Sequence, residues 1–115
     1  MGAFDENVFL YNEERILGVL CKNKRLITGI DFNAIVIHEH AASSSGIRND
    51  FVSCAYIKSF LYYWYKYRNK GRVLLNVFLN IYCLKMKILS RKYDELHPNK
   101  IKTAGRNELK RLFGD

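Results

Sequence analysis

The placement of helix-breaking residues is the feature that most constrains how this chain can fold. The only proline lies in the His-Pro-Asn run at 97–99, and the other strong break signals are the serine-glycine cluster at 43–46 and the Asn-Lys-Gly run at 69–71. They leave the segments 51–68 and 73–91 long, uninterrupted and apolar at helical spacing. With 115 residues, the chain is long enough for one domain with a single core and too short for two. We therefore expect one folded unit that is mostly helical.

The first half is predicted to contain one helix and two short strands. Apolar residues at helical spacing indicate a helix over 12–23, with Asn12 as its cap and two glutamates in its first turn, where carboxylates favour the positive end of the helix dipole. The β-branched runs 26–30 and 34–38 suit short strands with a turn between them. Helices and strands together give an α+β fold class.

The second half is predicted to form a helical hairpin, over 51–68 and 73–91, and a short terminal helix over 107–113. The apolar stripe of the first long helix consists of Ile57, Phe60, Leu61, Trp64 and Tyr65. The stripe that we expect to be buried on the second consists of Leu74, Val77, Phe78, Ile81 and Ile88. The longest uncharged run, 73–84, would rise about 18 Å as a helix, short of the roughly 30 Å hydrocarbon core of a bilayer. No transmembrane span is therefore expected.

Positive charge is concentrated in the second half of the chain. The net charge is +8, but residues 1–50 hold five Lys or Arg against seven Asp or Glu, whereas residues 51–115 hold fourteen against four. Such a basic surface attracts anions, whether nucleic-acid phosphates, anionic lipid head groups or phosphorylated carriers. Charge alone leaves the choice among these partners open.

The cysteines and the N-terminus indicate a cytoplasmic protein. Cys21, Cys54 and Cys83 are an odd number of thiols at wide spacings in apolar surroundings, which favours free thiols in a reducing compartment over a disulfide framework or a zinc site. The N-terminal residues lack the apolar run of a secretory signal. We therefore expect a cytoplasmic location.

The densest motif lies near the N-terminus and reads Phe4-Asp5-Glu6-Asn7-Val8-Phe9-Leu10-Tyr11-Asn12-Glu13-Glu14. After the predicted strands, Val36-Ile37-His38 follows, with Ser43 and Ser44 downstream. The order, the spacing and the flanking apolar pattern resemble the second half of the family 2 nucleotide-sugar glycosyltransferases. The resemblance implies a partial A-type glycosyltransferase fold. In that fold residues 1–46 would be the acceptor-side, catalytic segment, and residues 47–115 a basic, aromatic-rich helical region.

The resemblance also implies roles for individual residues. Glu14 matches the general base that takes the proton from the acceptor hydroxyl, with Glu in place of the family's commoner Asp. Glu13 and Asp5 would bind the acceptor. His38, with His40 as the second choice, matches the ligand of the Mn²⁺ or Mg²⁺ that holds the nucleotide diphosphate in the complete enzyme. The implied reaction transfers a sugar from a nucleotide sugar to a polysaccharide or lipid-linked acceptor.

Each of these residues also has a plainer explanation, and half of the family's site is missing. Two glutamates complement a helix N-terminus whatever the function, and a histidine beside a glutamate is usually an ordinary surface residue. The family's N-terminal half, which binds the nucleotide and carries an Asp-x-Asp metal motif, has no counterpart here, and Met1 falls at a strand-to-loop junction of the family. We therefore expect no donor or metal binding by this chain alone. A separate chain would supply the missing half, unless the chain is a truncated product or serves another purpose.

The aromatic and basic helices leave further interpretations open. Burial in a core is the default for a wide apolar stripe. The family's terminal helices often lie on the inner membrane face, and a non-catalytic membrane-surface or assembly module would use similar side chains. Here that surface would consist of Tyr62, Trp64, Tyr65, Lys66 and Arg68. A small basic helical protein that binds nucleic acid is the weaker alternative, since it would have to expose the same stripe to bases.

Overall fold

In the part of the chain that the structure describes, the fold consists of four α-helices joined by loops. A computed structural model describes residues 5–8, 10–38 and 49–114, and every regular element in these ranges is helical. The helices are α1 (Glu13–Asn23), α2 (Asp50–Lys66), α3 (Arg72–Leu89) and α4 (Pro98–Phe113). The predicted boundary between residues 46 and 47 lies outside the described residues.

Local sequence explains where the helices begin. The Asn49 side chain caps α2 by accepting a hydrogen bond of 3.0 Å from the Val52 backbone N–H. Pro98 occupies the first turn of α4, where its missing N–H leaves no hydrogen bond unmade. The helices predicted over 12–23, 51–68 and 73–91 are confirmed to within two residues at each end.

The terminal helix is much longer than the predicted 107–113, since α4 begins at Pro98 and has 16 residues. The break signal at 97–99 marks the start of this helix, because proline fits the first helical position and is excluded only further along. Residues 100–106 continue from it without interruption.

The main core forms where α4 packs across α2 and α3. α4 approaches α3 so closely at Gly105 that a Cβ placed there would lie 2.2 Å from Leu79 Cδ1. Each enclosed Leu or Ile contributes about 1.5–3 kcal/mol relative to an exposed one. The most enclosed side chains of this core are Ile57, Leu61, Leu75, Leu79 and Ile101.

α1 is held by a separate, smaller cluster. Ile16 is the buried residue of α1, and it packs with Tyr62 and Tyr63 of α2. Val8, from the loop before α1, packs against the same cluster. The aromatic face of α2 therefore serves two cores, one shared with α3 and α4 and one shared with α1.

The predicted α+β class is wrong, because the described residues contain no strand. The runs 26–30 and 34–38 are irregular, joined by a turn in which the Ala34 N–H donates to the Asp31 carbonyl at 3.3 Å. A strand needs a neighbour for its backbone hydrogen bonds. Neither run has a neighbouring strand within the described residues. Their β-branched composition was therefore not sufficient to form strands. The strands of the predicted partial A-type glycosyltransferase fold are not present in this part of the chain.

The buried face of α3 also differs from the prediction. Of the stripe expected in the core, only Phe78 is half-buried. The other four members are between 40 and 61 % exposed: Leu74, Val77, Ile81 and Ile88. The core side carries instead Leu75, Leu79, Cys83 and Met86. α3 is apolar on two sides, and periodicity alone does not tell which of two apolar faces meets the core.

α3 is the longest helix, with 18 residues, or about 27 Å at 1.5 Å per residue. It ends in a lysine-containing turn. In the part of the chain that the structure describes, no helix combines the length and the apolar character needed to cross a bilayer.

Candidate functional site

The loop before α1 is anchored to α2 by the Asp5 carboxylate. Asp5 Oδ2 accepts a hydrogen bond from the Tyr62 hydroxyl at 2.7 Å and another from the Tyr67 hydroxyl at 2.5 Å. Lys66 Nζ donates a third at 3.2 Å. The Asp5 side chain is only 7 % exposed. Its other oxygen, Oδ1, accepts hydrogen bonds from the Asn7 backbone N–H at 3.0 Å and from Asn7 Nδ2 at 2.9 Å. It is therefore a nearly enclosed carboxylate whose hydrogen-bonding capacity is met by the end of α2 and by its own loop.

These side chains stabilise one another's protonation states. Burial alone would raise the pKa of Asp5, but the hydrogen bonds from Tyr67 and Tyr62 outweigh it and hold the pKa well below its usual range. Burial, followed by the hydrogen bond to Asp5, raises the pKa of Tyr67 to about 12. The hydrogen bond to Tyr62 is the main cause of the raised pKa of Lys66. Near neutral pH the group is thus a carboxylate, two neutral phenols and an ammonium.

The chain enters α1 through two residues in the left-handed conformation. Tyr11 has φ of 68° and Asn12 has φ of 60°, values that residues other than glycine adopt rarely. The Ser59 hydroxyl holds the preceding turn by donating to the Leu10 carbonyl. Asn12 is 5 % exposed, its side chain makes no capping hydrogen bond, and its Nδ2 has no partner among the described residues. Backbone strain and an unsatisfied amide directly before the two glutamates identify this helix start as the candidate site.

Glu13 and Glu14 lie in the first turn of α1, and both are exposed. Two accessible carboxylates on a helix held by a packed cluster can accept protons or hydrogen bonds from a substrate hydroxyl.

Residues 26–38, which we name the apolar arm, follow α1 and expose most of their side chains. Ile27 is 99 % exposed. The other strongly exposed apolar residues of the arm are Ile30, Phe32, Ile35, Val36 and Ile37. Covering any one of them would contribute about 1.5–3 kcal/mol, so the arm is a strong candidate for contact with another surface.

The predicted metal ligands lie on or beyond the apolar arm. His38 is exposed at the end of the arm, whereas Glu14 lies in the first turn of α1. His40 lies outside the described residues. Within 5–8, 10–38 and 49–114, no group of three or more His, Cys, Asp or Glu side chains could hold a metal ion. A single imidazole does not make a site for Mn²⁺ or Mg²⁺, which take several oxygen-rich ligands. These residues alone do not fit the metal implied for the complete enzyme.

The five residues predicted to face a membrane are divided between interior and surface. Tyr62 is 4 % exposed, and Trp64 and Tyr65 are half-buried against the main core. Lys66 and Arg68 are exposed, with the Arg68 guanidinium 5.6 Å from the centre of the Trp64 ring. Much of this aromatic surface thus serves the core, as the burial explanation predicts. A membrane-surface role for it stays a prediction.

A cleft of about 590 Å³ opens between α2 and α4 beside the loop before α1. Its two carboxylates are already paired, since His97 Nδ1 lies 2.7 Å from Asp50 Oδ2 and Arg111 forms an ion pair with Glu108. Its thiol, Cys54, has its pKa raised by burial and by Asp50, which suppresses the nucleophilic thiolate. The thiol of this cleft is therefore a poor nucleophile, and both of its carboxylates are already engaged.

Sequence reasoning missed the anchor on α2. Tyr62 and Lys66 are four residues apart and share one face at the end of α2, and Tyr67 follows as the residue that caps the helix. That spacing was a usable signal that polar groups converge there. The identity of the acceptor was not predictable, because Asp5 lies 57 residues away from Tyr62 in the chain.

Comparison of this chain with protein-family models, with curated proteins and with solved structures gives no match. The functional interpretation therefore rests on the motif residues and on the geometry described above.

Proposed function

We propose that this chain is the acceptor-side part of a nucleotide-sugar glycosyltransferase in which Glu14 is the general base. The observation that carries the proposal is the construction of the start of α1. Asp5 ties the preceding loop to α2, Tyr11 and Asn12 hold a strained backbone, and Glu14 is presented to solvent immediately after them. A general base must be both fixed in position and accessible to the proton that it removes, and this arrangement meets both requirements.

The chemistry assigned to the two glutamates is simple. Glu14 removes the proton of the acceptor hydroxyl while that oxygen attacks the anomeric carbon of the donor sugar. The bond from the anomeric carbon to the phosphate oxygen breaks, and the nucleoside diphosphate leaves. Glu13, which is also exposed, accepts hydrogen bonds from neighbouring hydroxyls of a polysaccharide or lipid-linked acceptor. Glu in place of Asp extends the reach by one methylene and keeps the same base.

A separate part of the enzyme would bind the donor. The exposed apolar arm supports this part of the proposal, because it offers a surface for that second part to cover. Exposed Ile, Val and Phe side chains such as Ile27 and Phe32 favour contact with another apolar surface. A nucleotide-binding half that covers the arm would bring the donor sugar to the same side of the molecule as the arm. No step of this proposal depends on a metal ion.

The test is a chimaera in which this whole chain replaces the acceptor-side part of a family 2 glycosyltransferase of known donor and acceptor. We expect sugar transfer, and we expect Glu14→Gln to lower kcat by about 100-fold or more, the usual contribution of a general base. Glu14→Asp, which restores the family's commoner residue, should retain activity. Glu6→Gln is the matched control, because Glu6 is an exposed glutamate of the same loop.

Three results would contradict the proposal in a folded chimaera. The first is transfer that Glu14→Gln leaves unchanged. The second is an equal loss with Glu14→Gln and Glu6→Gln, which would indicate a general effect of charge. The third is donor binding of normal affinity without any transfer.

A further inference from the structure

α3 carries a second apolar face that the fold leaves uncovered. The side that meets the core is marked by Leu75, Leu79 and Met86. At 3.6 residues per turn, five further apolar residues fall on the opposite side of the helix. We name this set the α3 seam, and its members, each between 40 and 61 % exposed, are Leu74, Val77, Ile81, Leu84 and Ile88.

The spacing of the α3 seam is that of a coiled-coil interface. Its members follow one another at steps of three, four, three and four residues, which is the heptad pattern of the a and d positions. Such a stripe is narrower than the face by which a helix packs on a globular core. It is also narrower than the broad, often aromatic face of a helix that lies in a membrane interface. The pattern therefore favours one helix as the occupant.

The charges around the seam specify the partner's chemistry. Residues 51–93 contain nine Lys or Arg and no Asp or Glu. Lys85 and Lys87 occupy the positions that flank the seam, where side chains of paired helices face each other. In a pair of two copies of this chain, the lysines of one seam would lie against the positive charges of the other, and this repulsion disfavours pairing. A helix with Glu or Asp at its flanking positions would neutralise them.

We propose that the α3 seam is the docking site for an amphipathic helix of a partner protein, with apolar heptad positions and acidic flanks. From Leu74 to Ile88 the seam rises about 21 Å, so the partner helix would need about four turns. The proposal is independent of Glu14 and of sugar transfer, since every member of the seam belongs to α3 and Glu14 belongs to α1.

The experiment uses the whole chain and two labelled synthetic peptides of about 20 residues. Both peptides have Ile and Leu at the a and d positions, and they differ only in carrying Glu or Lys at the flanking positions. We expect the acidic peptide to bind at least 10-fold more tightly than the basic one by fluorescence anisotropy, with affinity falling as salt rises.

Two double variants locate the binding. Ile81→Gln with Leu84→Gln should abolish binding of the acidic peptide, and Ile27→Gln, at a still more exposed isoleucine of the apolar arm, should leave it unchanged. Lys85→Glu with Lys87→Glu should reverse the preference between the two peptides. Circular dichroism checks that each variant is helical. If the variant with two glutamines unfolds, the variant with Lys85→Glu and Lys87→Glu still tests the proposal.

The proposal is overturned if both peptides bind equally, or if the charge-reversed variant keeps the original preference. It is also overturned if the chain sediments as a dimer that the glutamine pair dissociates, which would make a second copy the occupant. Partition onto phosphatidylglycerol vesicles that the glutamine pair removes would assign the seam to lipid and would overturn it as well.

Discussion

Replacing Asp5 by asparagine tests whether this carboxylate holds the loop before α1. The substitution keeps the shape of the side chain and removes its charge. A hydrogen bond to a charged group contributes about 1.5–3 kcal/mol and a neutral one about 0.5–1.5 kcal/mol, so both phenol hydrogen bonds would weaken. The Lys66 side chain is 48 % exposed, and its ion pair adds at most about 1 kcal/mol. Because the donors share one oxygen, their effects are not additive, and we expect the free energy of unfolding to fall by about 2 kcal/mol.

The loss of unfolding free energy caused by Asp5→Asn should depend on pH. The pKa of Asp5 is lowered in the folded protein from its ordinary value of 3.8. Its contribution to stability is therefore present in full above that ordinary value, and it is lost as the pH falls through the folded-state pKa. The difference between the unsubstituted chain and Asp5→Asn should be largest at pH 7 and shrink as the pH falls below about 4. Urea unfolding followed by far-ultraviolet circular dichroism at several pH values measures this difference.

Asp31→Asn is the matched control for the Asp5 experiment. Asp31 is exposed, and its Oδ1 accepts a hydrogen bond from the Asn33 backbone N–H that an asparagine oxygen would also accept. The control should change the free energy of unfolding by less than about 0.5 kcal/mol. Amide exchange in α1 should be faster in Asp5→Asn and unchanged in the control. The reasoning is refuted if Asp5→Asn is as stable as the unsubstituted chain at pH 7, or if its loss is the same at pH 3.

Three further perturbations follow from packing, backbone geometry and titration. Gly105→Ala would place a Cβ 2.2 Å from Leu79 Cδ1 and should lower the free energy of unfolding in urea by about 1–3 kcal/mol. Gly18→Ala, in open space on α1, should raise it by up to about 1 kcal/mol. Equal effects of the two substitutions would contradict the close approach of α3 and α4. Asn12→Gly removes the backbone strain of a φ of 60° and should leave the stability unchanged or raise it by up to about 1 kcal/mol. Asn12→Ala should lower the stability by about 1 kcal/mol. A loss of stability in both variants would show that the Asn12 amide has a stabilising partner. Burial raises the pKa of Tyr82 to about 12, and the pKa of Tyr67 is also raised to about 12. At least two phenols should therefore titrate well above the ordinary value of 10 in an ultraviolet titration, and the stability of the fold should decline as the pH rises from 10 towards 12. Phenols that all titrate near 10 would count against the burial of Tyr82.

The candidate site was only partly predictable from the sequence. The position of Glu14 in the first turn of a helix followed from the apolar residues after it and from the motif around it, both of which are local. The left-handed conformation of Tyr11 had no such signal, and that of Asn12 had only a weak one, because asparagine adopts this conformation more readily than other non-glycine residues. No sequence signal indicated the roles of Asp5 and Tyr62 either. A carboxylate that binds a substrate and one that anchors a loop give the same sequence pattern.

By itself the sequence determined the position of α1, α2 and α3 and most of their ends, because helical periodicity and breaking residues act within a few turns of the chain. Only the tertiary structure decided the rest. It selected which apolar face of α3 meets α4, and it left the β-branched runs of the apolar arm without a neighbouring strand. It also joined Asp5 to the end of α2. Each of these outcomes depends on a partner distant in the chain, and a local pattern carries no information about whether that partner is there.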